Sequence, residues 1–116
     1  MSGPALPRAL RIELAARARH RCEYCLLHAD FALLPHESDH IIATQHSGAT
    51  VSENLAFACF ACNRLKGPNI ASVDPDTCQV LQLFHPRRDV WAGHFRLDGA
   101  RIIPLTATGQ IGRAHV

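Results

Sequence analysis

Residues 38–67 read SDHIIATQHSGATVSENLAFACFACNRLKG. The stretch opens with an acid beside a histidine and crosses a polar loop to Asn54. It closes on Cys59-x-x-Cys62, with Asn63 directly after. Asp39 is a hard oxygen ligand of the kind Mg²⁺ or Mn²⁺ takes. His40 is of the residue type that accepts a proton from water. Asn54 carries an amide that holds a histidine or a loop, and Asn63 offers a carbonyl oxygen at the start of a helix. Each also has a plainer use. An Asp-His pair on a strand is commonly a surface pair, Asn54 serves a cap or turn, and Asn63 serves as the N-cap of its helix.

The cysteines come in two knuckles, Cys22-x-x-Cys25 and Cys59-x-x-Cys62. Four thiolates in paired pairs suit tetrahedral zinc, and zinc held by all four has no open position and is structural. The gap between the knuckles leaves room for a strand and a loop. Disulfides are the first competing explanation. The Met-Ser-Gly-Pro start lacks the basic and apolar regions of a secretory signal, so the expected location is the cytoplasm, where disulfides are disfavoured. A redox C-x-x-C is the second, but the strand and helix order is not that of a thioredoxin. Cys78 stands alone and reads as a strand residue.

Outward from this centre, PRALRIELAARARHRC predicts a helix from Pro7 to near His20, with Leu10 and Leu14 one turn apart. Residues 31–43 read as extended, broken near Pro35. NLAFA is a short strand, and NRLKG a short helix closed by Gly67. PNIASVDPDT reads as a loop, CQVLQLF (78–84) as a strand, and HPRRDVWAGHF as holding a helical turn. Asp98-Gly99 between apolar runs predicts a hairpin. Trp91 and Phe95 read as core. The pieces form one α+β domain over residues 1–116.

With 116 residues, 47% apolar and 19% charged, the chain can bury only a modest core, and such domains lean on metals or disulfides. No apolar run approaches the ~18 residues a membrane span needs. The net charge of +2 excludes little, but its distribution is uneven. Arg8, Arg11, Arg17, Arg19 and Arg21 crowd the first segment, Arg64 and Lys66 follow the second knuckle, and Arg87 and Arg88 come later. Local basic surfaces of this kind meet phosphates, or form a solvated arginine-rich face.

Taken jointly, "DHII", "ENL", "CFACNRLKG" and the preceding "CEYC" resemble the HNH endonucleases of the ββα-metal fold, in their zinc-stapled branch. The resemblance covers a core of about residues 22–67. The extension, about residues 68–116, is similar to the tails of small bacterial and phage-like HNH proteins. It implies His40 as general base, Asn54 as the residue that orients the base or fixes the loop, and Asp39 and Asn63 as ligands of one catalytic Mg²⁺ or Mn²⁺. Cys22, Cys25, Cys59 and Cys62 would hold structural zinc. The implied activity is hydrolysis of duplex DNA to 5′-phosphate and 3′-hydroxyl ends, nicking one strand per site, by a monomer or homodimer. Arg17, Arg19, Arg21, Arg64 and Lys66 would clamp phosphates. Strict strand alternation would send Asp39 and His40 to opposite faces, so a bulge or strand end is expected there. The chain departs from the family pattern at Ser38, at Ala43, and at His46-Ser47-Gly48, where two glycines are usual. A zinc-stapled binding module without turnover is the rival. A toxin-like or phage packaging nuclease would use the same site.

Overall fold

Pro7 has no amide hydrogen to lose and stands as the N-cap of helix α1 (Arg8–Arg17) in the computed structural model, which describes residues 6–114. The Met-Ser-Gly-Pro start lies outside the described residues. The helix stops three residues short of the expected end. Arg19 (φ 55°) and His20 (φ 60°) adopt the left-handed conformation, which no helix continues. Leu14 is the helix's fully buried contact with the core.

The first knuckle follows as a tight turn, closed by a bridge between Arg21 and His28. Of the stretch expected to be extended, only β1 (Glu37–His40) is a strand, and a 3₁₀ turn occupies Ala29–Phe31. β1 pairs antiparallel with β2 (Leu55–Ala58) in unbroken register, from Glu37 opposite Ala58 to His40 opposite Leu55. There is no bulge. His40 is the last residue of its strand, the other expected device. Helix α2 (Phe60–Lys66) follows at once, ending at Gly67 with φ 53°. Its N-cap is Cys59, whose sulfur accepts from the Cys62 amide, so Asn63 stands inside the helix and not at its cap. The order β1, β2, α2 is the ββα unit.

The extension contributes more regular structure than its sequence suggests. Part of the expected loop is strand β3 (Ala71–Val73), paired with β4 (Val80–Gln82). Asp74, in the turn, accepts from the Asp76 amide through its side chain and from the Cys78 amide through its carbonyl. Cys78 lies in that turn, exposed and at φ 59°, not in the strand. Helix α3 (Trp91–His94) leads into the hairpin of β5 (Phe95–Asp98) and β6 (Arg101–Pro104), turned at Gly99 with φ 62°. Helix α4 (Ala107–Ala114) closes the described chain.

One core joins these parts. Cys22, Tyr24, Ile41, Ala56, Ala58, Cys59 and Cys62 pack with Phe84 and Phe95, and Trp91 and Ile102 lie against them. The indole N–H of Trp91 donates to the Tyr24 carbonyl at 2.9 Å. A second tie runs through Glu23, which accepts from the Phe57 amide at 2.7 Å and forms an ion pair with Arg87. The extension is thereby bonded to the first knuckle on both sides of Tyr24. Among the described residues no helix is long and apolar enough to cross a membrane.

Candidate metal centres and nuclease site

The four knuckle cysteines converge: their sulfurs all lie within 4.8 Å of one another. A zinc ion with ~2.3 Å bonds to four sulfurs needs tetrahedral edges of ~3.8 Å. The Cys25 and Cys59 sulfurs are 3.8 Å apart. Amides of Tyr24 and Cys25 point at the Cys22 sulfur at 3.4 and 3.5 Å, the way a knuckle stabilises thiolate charge. Without a cation the four sulfurs conflict. Hydrogen bonding from Cys25 and Cys62 lowers Cys22 to about 2, and the same contacts push Cys25 up to about 12 and Cys62 higher still. A divalent cation removes the conflict by letting all four ionise. The cluster is compatible with structural zinc.

The second group of residues lies between β1 and α2. Alternation puts Glu37 and Asp39 on the face of β1 that meets the helix. Positions 63 and 66 of α2 are one turn apart and meet them in order. Asn63 Nδ2 donates to Glu37 Oε1 at 2.7 Å. Lys66 Nζ lies 3.3 Å from Asp39 Oδ2, which also accepts from the Tyr24 hydroxyl at 2.7 Å. Asp39 is 5% exposed and Lys66 4%. Burial raises the Asp39 carboxyl above the usual carboxylate range, against the pull of Lys66 and Tyr24. Burial beside Asp39 also pushes the Tyr24 phenol well up, so it stays a donor. Both of these contacts to Asp39 fall on Oδ2.

His40 takes the other face of β1, as alternation dictates. Its Nε2 lies 2.9 Å from the Thr50 hydroxyl. Asn54 sits in the turn before β2 and works on the loop. Its Nδ2 donates to the carbonyls of Ile42 (3.0 Å) and Ala49 (2.8 Å), and its Oδ1 accepts from the Ile42 amide (2.9 Å). Of the two roles expected for Asn54, these bonds serve the loop. Ser47, where a family glycine is usual, takes the left-handed conformation itself at φ 67°.

The expected phosphate clamps divide. Arg17 donates to the Ser52 carbonyl and hydroxyl and to the Leu55 carbonyl at 2.6–3.0 Å, tying α1 to the start of β2. Arg64 grips Glu37 through two bonds of 2.7 and 3.1 Å and stacks over Phe60. Lys66 is buried against Asp39. Arg19 and Arg21 are exposed, Arg21 with one bond to the Leu26 carbonyl. A shallow groove beside the loop adds His46, His85 and the exposed Arg88.

Sequence reasoning missed Glu37, Tyr24 and Thr50. Glu37 was within reach, since it stands two residues before Asp39 and shares its face. Nothing in the sequence points to Thr50, which meets His40 only because the loop folds back.

Residues 22–69 match the family model described as HNH endonuclease. No curated protein and no solved structure matches the chain. The matched segment carries both knuckles, the strand with Asp39 and His40, the loop with Asn54, and the helix with Asn63. Together with the ββα order and the clustered cysteines, this makes residues 22–69 an HNH domain.

Proposed function

We propose that the chain is a metal-dependent endonuclease that hydrolyses phosphodiester bonds in duplex DNA, nicking one strand per site. The products would be 5′-phosphate and 3′-hydroxyl ends. The observation that carries this reading is the placement of His40 at the open end of β1. Asp39 directly precedes it, on the face of the strand that meets α2, where Asn63 also lies. Asp39, through Oδ1, and Asn63, through its amide oxygen, are the residues that would hold the ion. Both are hard oxygen donors, as Mg²⁺ and Mn²⁺ prefer. Such an ion, when bound, supplies positive charge to the phosphate and the departing 3′ oxygen. His40 receives the proton of the attacking water. Asn54 keeps the loop beside His40 closed. Lys66 and Tyr24 hold Asp39 from behind and keep its other oxygen occupied. Arg19, Arg21 and Arg88 are exposed and suit neighbouring phosphates, while Arg17 and Arg64 are bonded to partners within the protein and Lys66 is buried.

One observation favours a different reading. Asp39 is nearly sealed by Tyr24 and Lys66, an arrangement that also fits a zinc-stapled DNA-binding module without turnover. Supercoiled plasmid incubated with Mg²⁺, Mn²⁺ or chelator separates the two. The nuclease converts it to open circle in the presence of ion, and His40→Ala lowers that rate by about 10²–10⁴, the usual contribution of a positioned base. Thermal unfolding of His40→Ala stays near wild type, since the ring is outside the core. No conversion with any ion, or equal rates for wild type and His40→Ala, makes the binding module the correct reading.

A further inference from the structure

The loop between β1 and β2 is polar and exposed, yet it is pinned. Asn54 ties Ile42 at one end to Ala49 at the other through three hydrogen bonds. Gly48 lies so close to the start of the loop that a Cβ there would fall 1.7 Å from the Ile42 carbonyl oxygen. Its amide donates to the Ala43 carbonyl at 3.0 Å. Thr50 follows directly on the clamped Ala49, and its hydroxyl meets His40 Nε2 at 2.9 Å.

We propose that Thr50 is the positioning residue for His40: Nε2–H donates to the Thr50 hydroxyl, so that the neutral ring carries its lone pair on Nδ1, and Nδ1 receives the proton from water. The inference rests on the nuclease reading and deepens it. A neutral imidazole has one N–H and one lone pair, and a hydroxyl can meet either. A ring that acts as base keeps its lone pair for water, so the N–H is the side that meets Thr50. The nitrogen facing Thr50 is occupied, so the base must be the other. An accepting hydroxyl serves the ring equally before and after proton uptake, because Nε2–H is a donor in both forms. In the step, the water O–H bond breaks and its proton goes to Nδ1. The oxygen bonds to phosphorus, and the 3′ oxygen leaves with the electron pair of its P–O bond and takes a proton from solvent. The asparagine of the motif then acts on the base through the loop, from Asn54 to Ala49 to Thr50 to His40.

Long-range ¹H–¹⁵N correlation on ¹⁵N-labelled protein at about pH 8, where an ordinary histidine is neutral, reads the tautomer without any cleavage. His40 is expected as the Nε2–H form in wild type and Thr50→Ser, and as a mixture in Thr50→Val. In plasmid nicking, Thr50→Val is expected to lower kcat about tenfold, part of what a positioned base supplies, with KM for DNA unchanged and Thr50→Ser near wild type. An Nδ1–H tautomer in wild type overturns the proposal, as does a Thr50→Val protein whose tautomer and kcat are both unaltered. So does a fall in kcat with no change of tautomer. Equal nicking by wild type and His40→Ala would fell the nuclease reading instead, and the tautomer spectrum would still judge the Thr50 contact.

Discussion

Glu37 receives Asn63 and Arg64 on one carboxylate, and what it does is fix an amide. An asparagine amide has two ends, and its donor end is committed to Glu37, so its oxygen faces the other way. Burial disfavours the Glu37 charge, but Asn63 and the Arg64 guanidinium outweigh it and hold the carboxyl below its usual range. The carboxylate is therefore in its accepting form throughout the neutral range. Glu37→Ala removes the anchor while leaving Asn63 in place. The pair with Arg64 is half-exposed, so unfolding should change by less than about 1 kcal/mol. The Mn²⁺ concentration for half-maximal nicking should rise several-fold, and the same variant made on Asn63→Ala should add nothing further. An unchanged Mn²⁺ requirement would reduce Glu37 to an ordinary surface ion pair. Asp39 is different in kind, since it is buried with Lys66, and replacing it disturbs fold and site together.

At the scale of elements, the β1–β2 loop is held by backbone geometry more than by composition. Gly48→Ala would drive a methyl group into the Ile42 carbonyl, a main-chain atom that cannot swing aside. Overpacking of this kind costs about 1–3 kcal/mol, and chemical denaturation should show a loss in that range. Nicking should fall as well, since the clash opens the loop that presents Thr50. A Gly48→Ala protein as stable and active as wild type would mean the loop is slack. The same elements show what the sequence reveals. The knuckles, β2, α2 and the β5–β6 hairpin are legible because each carries its own local signal: cysteine spacing, an apolar run, a closing Gly67, and Asp98-Gly99. The end of α1 was misplaced because Arg19 and His20 turn left-handed, which no helix propensity announces. β3 was missed because three residues show no period, and it becomes a strand only by pairing with β4. In the candidate site, Asp39, His40, Asn54 and Asn63 stand out in the sequence through the motif they share. Tyr24, Thr50 and the pairing of Lys66 with Asp39 do not, because those contacts are made by folding.

In the whole molecule, the four cysteines stand at the centre of a small core, with Cys22, Cys59 and Cys62 buried in it. Removing the metal should therefore remove the fold. Zinc analysis is expected to give about one ion per chain, and a strong chelator or Cys22→Ser should abolish the cooperative unfolding transition, since such a site contributes on the order of 10 kcal/mol. Well-folded protein free of zinc would contradict this. DNA affinity belongs to the same scale. It should weaken steeply with salt, and Arg19→Ala and Arg88→Ala should each reduce the slope of log K against log salt by about one. Arg17→Ala should instead lower stability, because that guanidinium bridges α1 and β2. Salt-independent binding would leave the exposed arginines without this role. The chain has a single tryptophan, and it lies on the seam between the extension and the first knuckle, bonded to the Tyr24 carbonyl. An indole passing from that half-buried place into water emits at longer wavelength. The protein thus carries its own optical gauge: the colour of Trp91 fluorescence, followed in real time after chelator is mixed in, would show whether the seam parts before the rest of the molecule or together with it.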